Sequence, residues 1–263
     1  MLSDLIAGAA SYGLEVHESK TKILWNGQGE GADSTRCTIR RRSFEIMQAN
    51  DATMYLGKLF SFQHMHDREI KNRLNKAWAK FAIFRNELTY KGFTLDKRMR
   101  LFKAVVQPTL LYFCTSWTMN RARETLIRTV QRKMMRTIVG TRRLVQDDCL
   151  ETYLEWIVRA TSIAEDVMRE FAVPDWTEEV HRRKFQWAGQ IARYTDGRWT
   201  REVLLWSVTG ARKRGRPVTR WTDSLNKFFK EESQSNTFWL ALAEDEDSWN
   251  SLQDDYVNFV LGK

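Results

Sequence analysis

The sequence predicts an α+β fold that is mainly α, with a small antiparallel β region first and helices from there to the C-terminus. Three observations predict it. Residues of β-forming type gather in "STRCTIRRRSFEIM" and "ATMYLGKLFSF". Beyond Asp67 the apolar residues recur at helical spacing. Only three Pro and thirteen Gly occur in 263 residues, which leaves little material for extended linkers. The chain divides into residues 1–66, 67–145 and 146–263, the last with a basic loop at 211–220 and an acidic end.

Taken in order, residues 2–12 place Leu2, Leu5, Ala9 and Tyr12 on one helix, closed by Gly13. A short strand ends near Trp25. "NGQGEGADS" follows and reads as a hairpin loop, since no Gly-Lys-Ser/Thr completes a phosphate cradle. The two β-rich stretches, separated by Gln48–Asp51, read as the arms of one antiparallel hairpin. In "DREIKNRLNKAWAKFAIFRNEL" an apolar stripe runs through Ile70, Leu74, Trp78, Phe81 and Leu88, with Asp67 as N-cap. Arg73, Lys76 and Lys80 share another face. A second helix starts near Leu95 and is interrupted at Pro108. A third, over 119–138, buries Ile127, Val130, Met134 and Ile138. Arg128, Arg132 and Arg136 recur on its other side, with Arg121 near the same line. Helical patterns continue over 150–171, 177–194, 219–231 and 238–260.

Composition narrows the setting. Three widely spaced Cys argue against a disulfide framework and for a reducing compartment. No run approaches the roughly 20 apolar residues of a membrane helix, and the opening lacks a basic n-region. An intracellular protein with no membrane partner is expected, and nucleus and cytoplasm are not distinguished. Net charge is +9, yet residues 223–263 hold three Lys and nine Asp/Glu, a net of −6, so the rest carries +15. That imbalance points to a polyanionic partner, RNA, DNA or an RNA–DNA hybrid, held without sequence preference. A solvated basic surface is the alternative.

The row Arg121, Arg128, Arg132, Arg136 has one acidic interruption, Glu124, and so suits a phosphate backbone better than a solvated face of mixed sign. "ARKRGRPVTRW" carries Arg212, Lys213, Arg214, Arg216 and Arg220 and reads as a phosphate-binding loop before a helix. An Arg-Gly-Arg-Pro insertion into an A·T minor groove is the other reading. His64 and His66 lack further ligands for a metal. Asp147-Asp148 lies in a polar joint between helices and Asp254-Asp255 in an acidic helix, neither suited to two-metal chemistry.

In order, "YGLEVHESKTKIL", "MYLGKLFS", "IKNRLNKAWAKFAIF", "KRMRLFKAVVQPTLLYFCTSWTM", "RTVQRKMMRTIVG", "KFQWAGQIAR" with "RKRGRPVTRWTDSL", and "DEDSWNSL" resemble the C-terminal part of a reverse transcriptase of a non-LTR (LINE-type) retrotransposon. The resemblance implies the end of a palm, a primer-grip hairpin at Met54, Tyr55, Leu56 and Gly57, a helical thumb and a helical tail. The family's Tyr/Phe-X-Asp-Asp turn, which holds the catalytic metals, belongs upstream of the Gly-Leu strand, where this sequence has only Asp4. A fragment of an RNA-directed DNA polymerase is therefore expected. It is not an enzyme as it stands and needs no cofactor of its own. Mg2+, and Lys20 as a general acid, have a role only in an intact polymerase. Two alternatives stand beside it: a non-functional helical relic exposing Leu2, Leu5, Trp25 and Phe44, and the minor-groove DNA binder. Replacing Arg128, Arg132 and Arg136 with Ala is expected to flatten the salt dependence of binding.

Overall fold

β-branched and aromatic residues near the N-terminal end pair over short distances, because the turns between them suit tight reversal. The computed structural model describes residues 1–25, 35–48, 50–146, 149–205, 219–230 and 238–263. They form two units, Met1–Asn72 and Arg73–Lys263.

In the first unit α1 (Leu2–Ser11) buries Ile6 and ends before Gly13, whose φ of 71° closes it. Three strands follow: β1 (Lys22–Leu24), β2 (Arg36–Ile39) and β3 (Arg42–Met47), in the order β1-β3-β2. β2 and β3 are antiparallel with Cys37 opposite Phe44, and β1 runs parallel to β3 with Ile23 opposite Ile46. A separate hairpin joins β4 (Thr53–Tyr55) to β5 (Lys58–Phe60). The single hairpin expected across Gln48–Asp51 is thus two, each folded on itself. The cause is turn chemistry. Arg40 and Arg41 (φ 50° and 65°), and likewise Leu56 and Gly57 (φ 47° and 80°), are both left-handed, the two-residue geometry whose twist matches antiparallel strands. Phe44, expected on an exposed apolar face, is fully buried, whereas Leu5 is 58% exposed. Buried Glu69 accepts the amide of Leu59 at 2.8 Å and so fixes β5 to the following helix.

That helix, α2 (Met65–Ile83), begins two residues ahead of Asp67 and contains the boundary between the units. α3 (Arg85–Thr89) and α4 (Leu95–Leu101) follow. The interruption expected at Pro108 takes the form of a change of helix type ahead of the proline. Phe102–Val106 widens into a π-helical turn and α5 (Gln107–Leu111) carries the proline in its first turn. A π turn shifts the bonding partners where Pro supplies no N–H. Thr109 Oγ1 donates to the carbonyl of Val105 at 2.9 Å.

α6 (Arg121–Val139) is framed by Asn120, which accepts the amide of Arg123 at 2.9 Å, and by left-handed Gly140. β6 (Val145–Gln146) and β7 (Cys149–Leu150) pair antiparallel on either side of Asp147-Asp148, where sequence patterning indicated only a polar joint. Those two aspartates lie outside the described residues. α7 (Tyr153–Glu170) opens on a Thr152–Glu155 capping box. α8 (Trp176–Ala192) opens on Asp175, and α9 (Trp199–Leu205), α10 (Asp223–Phe229), α11 (Phe238–Leu242), α12 (Glu246–Ser251) and α13 (Gln253–Leu261) follow. The helix expected over 238–260 is therefore three. Asp245 accepts the amides of Asp247 and Ser248 and so starts α12 anew.

The tail motifs of the sequence meet in one core. Phe185 of "KFQWAGQIAR" stacks on Trp249 of "DEDSWNSL" at 4.1 Å and 8°, and Phe229, Trp239 and Tyr256 close around them. The acidic end lies along α8, where Asp254 meets Arg182 and Glu246 meets Arg193, each at 3.2 Å. Buried Lys184 donates to Ser224 Oγ at 2.8 Å and sits 5.1 Å from the Trp221 ring centre. Burial pushes its pKa down to about 8, with Asp223 partly opposing. A folded-state value below the unfolded one means the native chain binds fewer protons, so stability rises with pH from about 8 towards 10.5. Burial pushes Cys114 up to about 12, which works the other way above its ordinary 9.0. Denaturant melts of wild type and Lys184→Met isolate the lysine. The variant is expected to lack the rise, whose full span is about 3 kcal/mol. Parallel pH profiles for the two proteins would refute it.

Candidate nucleic-acid interface

The arginine row on α6 is the natural starting point. Four-residue spacing does place Arg128, Arg132 and Arg136 on one flank of the helix, and α7 and α8 bring acids to that flank. Arg132 pairs with Glu165 of α7 at 2.6 Å and with Asp175 at 3.1 Å, and Arg128 reaches the same Asp175 oxygen at 3.4 Å. Arg136 donates to Thr161 Oγ1 at 2.9 Å. All three are half-buried, while Arg121, the first residue of the helix, is exposed. Burial alone would raise the pKa of Asp175. Thr177 and the two guanidiniums outweigh that and hold it below the usual carboxylate range. The other Asp175 oxygen accepts the Thr177 amide at 2.7 Å, so one side chain caps α8 and ties it to α6. Next to it, buried Gln131 donates to the Pro174 carbonyl at 2.8 Å and accepts the Trp176 amide at 2.9 Å.

The three cations expected along α2 also part company. Arg73 is buried, its guanidinium 4.5 Å from the Tyr112 ring centre. Lys76 is half-buried and Lys80 exposed. Exposed Arg85, Lys91 and Lys97 follow on α3, on the turn after it and on α4. Lys133, on the outward side of α6, lies 5.7 Å from the Trp78 ring. These later cations escape a search for periodic rows because they fall on short helices and a turn. The signal in the sequence is "TYKGFT", two aromatics around Lys-Gly between helical segments.

In the first unit, Met54, Tyr55 and Leu56 are 47%, 63% and 67% exposed at the tip of the β4–β5 hairpin, with Gly57 completing its turn. Lys20 is exposed in the turn before β1. Arg220 is exposed just before α10. Arg212, Lys213, Arg214 and Arg216, like the glycine-rich stretch at 26–34, lie outside the described residues. Among the described residues no three His, Cys, Asp or Glu side chains come together as a metal site, and no helix is long and apolar enough to cross a membrane.

Over 256 residues, 95% of this chain and 86% of the relative, the sequence is 31% identical to an uncharacterized transposon-derived protein of Caenorhabditis elegans. The chain belongs to that transposon-derived family. No family model matches it. No solved structure matches it either.

The described surface of this transposon-derived chain carries two kinds of exposed side chain of note, cations and aromatic rings. Its exposed lysines and arginines on α2, α3 and α4 are mobile point charges or forks suited to phosphate. Its exposed aromatics, at the hairpin tip and in the turn after α3, present ring surface of the kind on which bases stack. Arg128 and Arg132 are engaged inside the helical bundle, where their first effect is on stability.

Proposed function

We propose that the chain grips nucleic acid, an RNA–DNA hybrid or RNA, without reading its sequence. It does so in the manner of the thumb and primer-grip parts of the retrotransposon RNA-directed DNA polymerases it resembles. The observation that carries this reading is the succession of exposed cations Lys80, Arg85, Lys91 and Lys97 along α2, α3, the turn after it and α4, with half-buried Lys76 before them. Kinship with a transposon-derived protein supports the transposable-element side of it. The sequence contains no Tyr/Phe-X-Asp-Asp motif, so the proposal leaves nucleotidyl transfer out. Template-directed primer extension by the purified chain with Mg2+ would contradict that part.

The test is fluorescence anisotropy of a labelled RNA–DNA hybrid across a range of salt. Binding should weaken steeply, each phosphate contact contributing about 0.9 to the log–log slope. The triple variant Lys76→Ala, Lys80→Ala, Arg85→Ala should flatten that slope by about two units or more. Arg128→Ala and Arg132→Ala should lower stability and leave the slope alone. A second reading, a helical relic with no partner, is favoured by the internal pairing of those two arginines. It predicts no binding above that of a neutral control protein.

A further inference from the structure

Between α3 and α4 the chain turns through Tyr90, Lys91, Gly92 and Phe93. Tyr90, Lys91 and Phe93, with Asn86, Glu87 and Thr89, border an open cleft of about 580 Å3, within the usual range of small-ligand sites. Tyr90 and Phe93 are 62% and 43% exposed, although Leu88 and Met99 on either side are fully buried. The rings meet edge-to-face at 5.4 Å and 85°. Backbone bonds hold the turn that carries them, from the Tyr90 amide to the Asn86 carbonyl at 2.8 Å and from the Phe93 amide to the Tyr90 carbonyl at 3.2 Å. Gly92 is required for this arrangement. A Cβ at that position would run into the Tyr90 ring at Cε1, so any other residue must displace the ring from where it lies.

The charged residues lining the cleft are one cation, Lys91, and one acid, Glu87. The Lys91 Cε is 3.9 Å from where a Cβ on Gly140 would be. That places it near the stretch leading to exposed Arg142 and Arg143. An aromatic pair, an exposed amide at Asn86 and flanking cations are the three contacts an unpaired nucleotide uses: a ring for its base, a polar group for the base edge and charge for its phosphate.

We propose that the cleft takes one unpaired nucleotide of a bound strand, its base against Tyr90 and Phe93 and its phosphate towards Lys91. The proposal rests on the nucleic-acid reading above and adds a defined place where a single strand is held.

The full chain is titrated into a short single-stranded RNA carrying 2-aminopurine, whose fluorescence is quenched when the base stacks. The free 2-aminopurine nucleotide is tested alone, and hybrid binding is followed in parallel. Strong quenching at saturation is expected. Tyr90→Ala and Phe93→Ala should each weaken single-strand affinity about tenfold, with unchanged circular dichroism because both rings are exposed. Gly92→Ala keeps both rings and every charge but displaces Tyr90, and it too should lose quenching. Lys91→Ala should weaken binding most at low salt, flattening the salt slope by about one unit, and leave the quench at saturation intact. A base left unquenched by wild type overturns the proposal, as does wild-type quenching in Tyr90→Ala, Phe93→Ala and Gly92→Ala. If hybrid binding nevertheless keeps its steep salt dependence, the cleft is dismissed and the general grip stands. Free nucleotide bound as tightly as the strand would overturn the strand as occupant.

Discussion

Gly189→Ala is expected to destabilise the helical C-terminal region by about 3 kcal/mol, the upper end of what overpacking costs. In an open helix the same change is favourable by about 1 kcal/mol, since alanine gives up less backbone freedom. Here a Cβ would stand 2.5 Å from Trp249 Nε1 and 2.6 Å from its Cδ1. The indole has nowhere to retreat. It is fully buried, stacked on Phe185 at 4.1 Å, and its Nε1 donates to the Phe185 carbonyl at 3.1 Å. Differential scanning calorimetry should show the transition lowered by several degrees. Gly8→Ala is the control: nothing lies within 4 Å of a Cβ there, so the helix should be unharmed or slightly strengthened. Adding Trp249→Phe to Gly189→Ala frees space at the contact and should recover part of the loss. A Gly189→Ala melting point at or above wild type would mean that α8 and α12 do not approach as described.

Asp175→Ala is expected to cost about 3 kcal/mol as well, through two losses at one position. The cap of α8 disappears with the oxygen that accepts the Thr177 amide. Arg128 and Arg132 lose their common partner in a half-buried seam, and only Glu165 still meets Arg132. Asp175→Asn separates the two effects, because an amide oxygen still caps the helix while the negative charge is gone. The acid side of the stability profile is a second readout. The folded-state pKa of Asp175 lies below its ordinary 3.8, so the native chain holds fewer protons there. The stabilisation is present above that value and is lost as pH falls through the depressed one. Asp175→Asn should lack this part of the acid loss. Urea melts of the three proteins between pH 3 and 7, a range of about four units around the carboxylate pKa, check it. Equal stability of wild type and Asp175→Ala would show the seam to be incidental.

Much of the helical framework was legible because helices announce their ends locally. Asn120 and Gly140 bracket α6, and Thr152 with Glu155 opens α7. The strands were legible as material and not as pairing, since Arg40-Arg41 and Leu56-Gly57 supply the turns without the Asn-Gly signature that marks them. α11, α12 and α13 read as one helix because their apolar residues keep helical phase, and the break is made by the Asp245 side chain. The arginine row illustrates the limit best. Its spacing was read correctly and its destination was not in the spacing, because Glu165 and Asp175 stand 33 and 43 residues further along the chain. The cleft at Tyr90 and Phe93 has no periodicity at all and emerges only when the turn is seen folded.

The sequence was enough to divide the chain into a β-containing start and a helical remainder, to place α1, α6, α7 and α8 within a few residues, and to put the excess of basic residues ahead of residue 223. These are properties of caps, spacing and composition, which act over a few residues. Tertiary structure alone decided which cations look outward and which hold the bundle together. It also decided that an acidic end lies on α8 and that one glycine and one tryptophan interlock. The reason is physical: a charge or ring is bound by whatever packing brings within a few ångströms, and packing pairs residues that are far apart in the chain.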